Sequence, residues 1–248
     1  MNAVNGPDAP VSYDLHKAQY EAIDSGVGLE LATQLIRQKI EGCRTTLQTF
    51  WKSADRDRAI ANQDGALIDI KQRPISYDEI RWIEARAASS YFAAWSEQPI
   101  RWKGTGRRPI SNDWHRCAPR MGILENGRNR HAAHPVAALL NYAYSILKSE
   151  LRIAINAHGL DPCVGYLHTM RLGRMSLVYD LMEPLRPIAD KIVLDFVRSE
   201  TFSPADFDLN VRGACRLHPQ LARRFVRLIK FREEANETLR HSAKALGI

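Results

Sequence analysis

The stretch that decides the fold runs from Pro135 to His158 and reads PVAALLNYAYSILKSELRIAINAH. Leu139, Tyr142, Ala143, Ile146, Leu147, Leu151 and Ala154 recur at helical spacing and make one broad apolar face. Pro135 sits where a helix start tolerates a missing N–H, and Gly159 is placed to end the helix. A helix this long and this apolar predicts the centre of a helical core. Asn141 within it reads either as a satisfied core amide, the simpler reading, or as a group that orients a neighbouring site.

The same period recurs on both sides. Leu31, Leu35, Ile36, Ile40, Cys43, Leu47 and Phe50 space a helix from Leu29 to about Trp51. Residues 55–70, DRDRAIANQDGALIDI, predict a second helix weakened by Gly65, and Pro74 breaks the pattern. Ser76 with Glu79 fits a capping box. The helix it opens should run to about Ser96, with Ile80, Ile83, Ala87, Ala88, Tyr91 and Trp95 as its apolar stripe. Downstream, Ser176 caps another helix whose buried stripe is Leu177, Leu181, Leu185 and Ile188. Pro184 and Pro187 should bend or break that helix, and a helix continues from Ile188 through Arg198. Residues 199–217 are mixed, and 219–246 predict one last helix. No convincing strand alternation and no internal repeat is present. The expected fold is all-α: a loose tail at 1–13, then a single helical domain over 14–248 built around the long central helix.

The totals narrow the function. At 248 residues, 45% apolar and 25% charged, the chain can bury a sizeable core. Its formal net charge of +7 favours nucleic acid or an acidic surface as partner. Cys43, Cys117, Cys163 and Cys215 are widely spaced with no CxxC pair. That argues against a zinc ribbon or a disulfide framework and fits a reducing cytoplasm, the expected location. The first residues, MNAVNGPDAPVSYD, show no basic-then-apolar secretory signal. No apolar run approaches the roughly 18–20 residues a membrane span needs, so no membrane partner is expected. The absence of GxxxxGK[ST], GxGxxG and GxSxG leaves an NTPase, a dinucleotide enzyme or an esterase-type hydrolase unsupported.

The chemistry concentrates in Gly165–Pro187, GYLHTMRLGRMSLVYDLMEPLRP, which holds His168, Asp180 and Glu183. Asp180 and Glu183 are three apart and share a helix face, off the buried stripe. The short link Met170–Arg174 can fold His168 back towards the start of the next helix. Glu84 lies inside an apolar stripe, where a carboxylate is costly unless paired or cation-bound. It reads either as a buried salt bridge or rim position, or as a third ligand facing His168 and Glu183. A neutral imidazole with carboxylates is a plausible divalent-metal set, and Arg171, Arg174 and Arg186 around it suit a phosphate-containing substrate. Metal-assisted chemistry at phosphorus is the reading that remains. Residues 97–130 carry Arg101, Lys103, Arg107, Arg108, Arg116, Arg120, Arg128 and Arg130, with Trp102 and Trp114. They read equally as a backbone-tracking nucleic-acid loop with indoles for stacking, or as a solvated loop that its indoles pin to the core. Arg223, Arg224, Arg227, Lys230 and Arg232 read as a DNA-facing surface or as a solvated helix face.

Four segments in this order, IEARAASSYFAAW, PVAALLNYAYSILKSEL, GLDPCVGYLH and SLVYDLMEPLRP, resemble the catalytic domain of the CRISPR-associated adaptation integrase, the Cas-one endonuclease. QLIRQKIEGCRTTL resembles the opening of the same domain, so the match covers roughly residues 14 to 240. The resemblance implies an α-helical domain with Glu84, His168 and Glu183 as ligands of Mg²⁺ or Mn²⁺, and with Asp180 beside the metal supporting activity. It implies joining of a DNA 3′-hydroxyl to a target strand, as in spacer insertion into a CRISPR array, with nicking as a related reaction. Arg107, Arg108, Arg171, Arg174 and Arg186 are then the expected contacts to double-stranded DNA. A homodimer and a bridging Cas-two protein are the implied partners. The family usually carries an N-terminal β-rich domain, which this chain is expected to lack. The competing expectations are a transposon-type integrase outside CRISPR and a DNA-binding relative without catalysis.

Overall fold

The central helix forms as read: α5 spans Pro135–Ala157. His134 precedes it, and its Nδ1 accepts the Val136 N–H at 3.1 Å. At the far end Gly159 takes φ +73°, a left-handed conformation that costs a residue without Cβ little, and the chain turns away. Leu139, Ala143, Leu147 and Leu151 on its face are fully buried, and Tyr142 and Ile146 pack partly buried beside them. This computed structural model describes residues 13–50, 52–72, 76–118, 132–168 and 170–245. The expected tail therefore lies outside the described residues except for Tyr13, which opens a helix. Trp51, Pro74, Arg120, Arg128 and Arg130 also lie outside them.

Among the described residues four α-helices precede α5: α1 (Tyr13–Asp24), α2 (Val27–Gln48), α3 (Ala54–Lys71) and α4 (Tyr77–Trp95). Four follow: α6 (Ser176–Met182), α7 (Arg186–Ser199), α8 (Pro219–Val226) and α9 (Arg232–Ala245). The Ser76 cap is made, its hydroxyl accepting the Glu79 N–H at 3.2 Å. Helices α2, α3 and α4 pack on one another, while α5 packs on α6, α7 and α9. Helix α2 also lies against α7 and the turn before it, so it belongs to both groups. Gly42 permits this. A Cβ there would lie 2.9 Å from the Pro187 side chain, so α2 closes on α7 only where it has no side chain. Among the described residues no helix is long and apolar enough to cross a membrane.

Four local expectations are corrected. Helix α1 is additional. Its sequence, YDLHKAQYEAID, buries Gln19 and Ala22, and it is held by fully buried Gln19. The Gln19 amide donates to the Asp161 carbonyl at 3.2 Å and accepts the Asp161 N–H at 2.8 Å. The last helix is two, α8 and α9. Phe225 and Phe231 are both buried. Six residues apart, they would point about 120° away from each other on one continuous helix, and the break brings both into the core. A small antiparallel hairpin, β1 (Phe207–Leu209) with β2 (Cys215–Leu217), pairs Phe207 with Leu217 and Leu209 with Cys215. Three residues per strand are too few for alternation to show in sequence. Lastly, Ile188 is exposed rather than buried. Pro184 and Pro187 do break the helix, and residues Glu183–Leu185 form a 3-10 turn. Its tighter winding shifts the phase, so Ala189, Val193, Phe196 and Val197 point inward instead.

Candidate functional site

The site starts at a glycine. A Cβ on Gly165 would lie 2.6 Å from the Ser176 carbonyl carbon and 2.7 Å from the Leu177 nitrogen. Only a bare backbone can therefore lie against the start of α6. That contact brings three consecutive amides over the Asp180 carboxylate. The N–H groups of Tyr166, Leu167 and His168 donate to it at 2.6, 3.0 and 3.0 Å. The same carboxylate lies 2.6 Å from His168 Nδ1. A carboxylate that accepts from three amides is an acceptor for the ring as well. Nδ1 therefore carries a proton, and in the neutral ring the lone pair is on Nε2. Asp180 is completely buried. Its role is to fix the backbone and the tautomer of His168, whose ring leans on Tyr179 at 5.8 Å.

The second half is a chain of alternating charges. Lys39, one turn before Gly42 on α2, places Nζ 2.5 Å from a Glu84 oxygen and 2.5 Å from a Glu183 oxygen. The other Glu183 oxygen accepts from Arg186 Nε at 3.0 Å, and the Arg186 guanidinium lies over the Tyr144 ring at 4.8 Å. Lys39 and Glu183 are buried, and the Glu84 side chain keeps 27% of its surface exposed. Burial alone would raise the Glu183 carboxyl, but the Arg186 and Lys39 charges override it and bring it down to about 2. Burial alone would lower the Lys39 ammonium, and the Glu183 and Glu84 charges hold it above its ordinary value. Both stay charged across neutral pH.

This pair borders a cavity of about 290 Å³, also lined by Asn141, Tyr144, Arg186 and Asp190. Asn141 thus stands on the wall of the site and not inside the core. The Tyr144 hydroxyl donates to Asp190. Burial raises the Asp190 carboxyl to about 6, tempered by the Tyr144 and Tyr91 hydroxyls and the Arg186 charge.

The structure thus joins Glu84 to Glu183 through Lys39 and joins His168 to Asp180. Among the described residues no three His, Cys, Asp or Glu side chains stand together as a ready-made ion cage. Lys39, Tyr144 and Asp190 were missed by sequence reasoning. For Lys39 a signal was available. It falls between Ile36 and Ile40 in a buried stripe, a charge out of place just as Glu84 is in its own helix.

The basic residues divide. Arg107, Arg108 and Arg171 are exposed. Arg174 is half-buried, with its guanidinium 5.5 Å from the Tyr179 ring centre. Arg186 is committed to Glu183 instead of facing outward. The indoles of Trp102 and Trp114 stack on each other at 5.7 Å. Trp102 Nε1 donates to the Trp114 carbonyl at 2.9 Å, and Trp114 is buried. They pin the described part of the loop, residues 97–118, to the core. At α8, Arg224 pairs with Asp206 at 3.3 Å, while Arg223, Arg227, Lys230 and Arg232 are exposed.

The helical frame thus holds two buried polar pairings, His168 with Asp180 and Glu84 with Glu183 through Lys39. Comparison with known proteins gives the lineage. The family model "CRISPR associated protein Cas1" matches residues 3–230, and the chain belongs to that family. It is 33% identical over 229 residues to a CRISPR-associated exonuclease Cas4/endonuclease Cas1 fusion of Geobacter sulfurreducens, covering 89% of this chain and 38% of that protein. It is 30% identical over 206 residues to a CRISPR-associated endonuclease Cas1 of Korarchaeum cryptofilum, covering 78% of this chain and 55% of that one. The chain therefore spans about half or less of the length of these relatives. Among solved structures, a casposase bound to an integration product superposes with a TM-score of 0.74 at 25% identity, covering 96% of this chain and 70% of that one.

Proposed function

We propose that residues 14–248 are a divalent-metal-dependent DNA endonuclease and integrase domain that joins DNA 3′-hydroxyl ends to a target strand, as in CRISPR spacer acquisition. The observation that carries the reading is the convergence of Glu84 and Glu183 on one cation, 2.5 Å from each; His168, held by Asp180, is the third proposed ligand. Two carboxylates and a neutral imidazole suit Mg²⁺ or Mn²⁺. Glu84, His168 and Glu183 would hold the ion, which when bound stabilises charge on the attacking and leaving oxygens. Asp180 keeps His168 in the tautomer such a role requires. Arg186 neutralises part of the Glu183 charge. The exposed Arg107, Arg108 and Arg171, with half-buried Arg174, offer phosphate contacts on a duplex. A homodimer and a bridging Cas2-type protein complete the proposed assembly, in the cytoplasm.

A strand-transfer gel tests this. Purified protein is incubated with a labelled duplex bearing 3′ overhangs, supercoiled plasmid and Mn²⁺ or Mg²⁺, with His168→Ala alongside. Metal-dependent joining that is lost in the variant is the expected result. DNA binding by both proteins without nicking or joining by either would refute catalysis by this chain alone. The likeness to the casposase favours a second setting, an integrase outside CRISPR. Equal joining into plasmids with and without a CRISPR leader and repeat would select it.

A further inference from the structure

We propose that Lys39 is a tethered cation that occupies the metal's seat between Glu84 and Glu183, so that a divalent ion and the Lys39 ammonium compete for it. This rests on the metal-dependent reading above. The ammonium touches one oxygen of each carboxylate at 2.5 Å, and an ion ligated by both carboxylates would need that same space. Two cations in contact inside a site from which water is largely excluded repel strongly, so the two occupancies exclude each other. The donor arrangement agrees. With Lys39 in place, Glu84, His168 and Glu183 do not form a cage, and an incoming ion must redraw the carboxylates around itself. The displaced head also has somewhere to go. Lys39 lines the adjoining cavity of about 290 Å³, and the carboxylate of Asp190 lines the same cavity. A flexible four-carbon stem can swing an ammonium from one carboxylate site to another. Without metal, Lys39 keeps the buried Glu183 and the partly exposed Glu84 carboxylates from repelling each other. On metal entry it withdraws, and part of the metal's binding free energy is spent on moving it.

The test measures Mn²⁺ binding by calorimetry and thermal midpoints in EDTA and in Mn²⁺, on the full chain and on Lys39→Met. The variant should melt below wild type in EDTA, because its carboxylates have lost their counter-charge. It should bind Mn²⁺ about tenfold more tightly and show the larger rise in midpoint on adding Mn²⁺. Equal or weaker Mn²⁺ binding by Lys39→Met overturns the competition while leaving the metal site standing. Mn²⁺ binding by neither protein overturns the metal reading and this inference with it. Lys39→Gln keeps hydrogen-bond donors but not the charge. It serves where Lys39→Met does not fold, with the same tighter binding expected and the same equality refuting.

Discussion

Asp180 is the residue whose loss should cost the fold most per atom. Its carboxylate accepts from the amides of Tyr166, Leu167 and His168 and from His168 Nδ1, all with the side chain completely out of water. Asp180→Ala leaves three backbone donors without an acceptor. A buried donor left unsatisfied costs roughly 1–3 kcal/mol, and water entering the vacated space recovers part of this. The expected loss is about 3–5 kcal/mol, near the upper end for single substitutions. Asp180→Asn separates charge from shape. One oxygen accepts from Tyr166 and Leu167 and the other from both His168 groups, so whichever end becomes NH₂ faces two donors. About 2–4 kcal/mol should still be lost by the same reasoning. Equilibrium unfolding in urea measures both values. Strand transfer by Asp180→Asn should fall about 10–100-fold, the usual effect of removing the partner that orients a ligating histidine. An Asn variant within about 0.5 kcal/mol of wild type, inside the range of neutral surface changes, would show that the carboxylate does not hold the 165–168 segment.

Other perturbations follow from the same geometry. Gly165→Ala puts a methyl 2.6 Å from backbone and should cost about 1–3 kcal/mol as overpacking does, with strand transfer falling further than stability accounts for; unchanged melting refutes the close approach. Asp190 is raised from 3.8 to about 6 on folding, so its stabilising contribution is complete below about pH 3.8 and is lost as pH rises through 6. Asp190→Asn should therefore gain up to roughly 3 kcal/mol on wild type between those values, and a pH-independent difference in urea midpoints refutes this. Glu183 runs the other way. Lowered from 4.5 to about 2, it stabilises above pH 4.5 and loses that contribution as pH falls through 2, so Glu183→Gln in EDTA should flatten the acid limb of the stability curve.

The helical frame was legible because most of it is periodic. The α5 stripe, the Ser76 cap, the Gly159 stop and the proline break after Glu183 each follow from a local rule that the packing does not override. What escaped was set by partners distant in sequence. Helix α1 is held by Gln19 reaching Asp161, and no local pattern records a pairing 142 residues apart. The division of the last helix answers two phenylalanines that must both reach the core. In the site, Glu84, His168, Asp180 and Glu183 were singled out from sequence, but Asp180 and Glu183, expected off the buried face, are both buried. Their pairing was not found. A sequence shows that a carboxylate is out of place without showing which cation meets it, and Lys39 lies 45 residues from Glu84 and 144 from Glu183.

That pairing also explains why α2 sits where it does. A buried carboxylate without a counter-charge would be strongly destabilising, and Glu183 is fixed by the turn that Pro184 imposes. Glu84 comes from the α2–α3–α4 group, and Glu183 from the group around α5. Helix α2 packs on both, and Gly42 lets it close on Pro187 one turn beyond Lys39. One lysine on that helix can therefore neutralise a carboxylate from each side. The same contact that joins the two helical groups assembles the site, so substitutions along the Lys39–Gly42–Cys43 face should move stability and metal response together, whereas changes at exposed Arg107 or Arg171 should alter DNA affinity and its salt dependence alone.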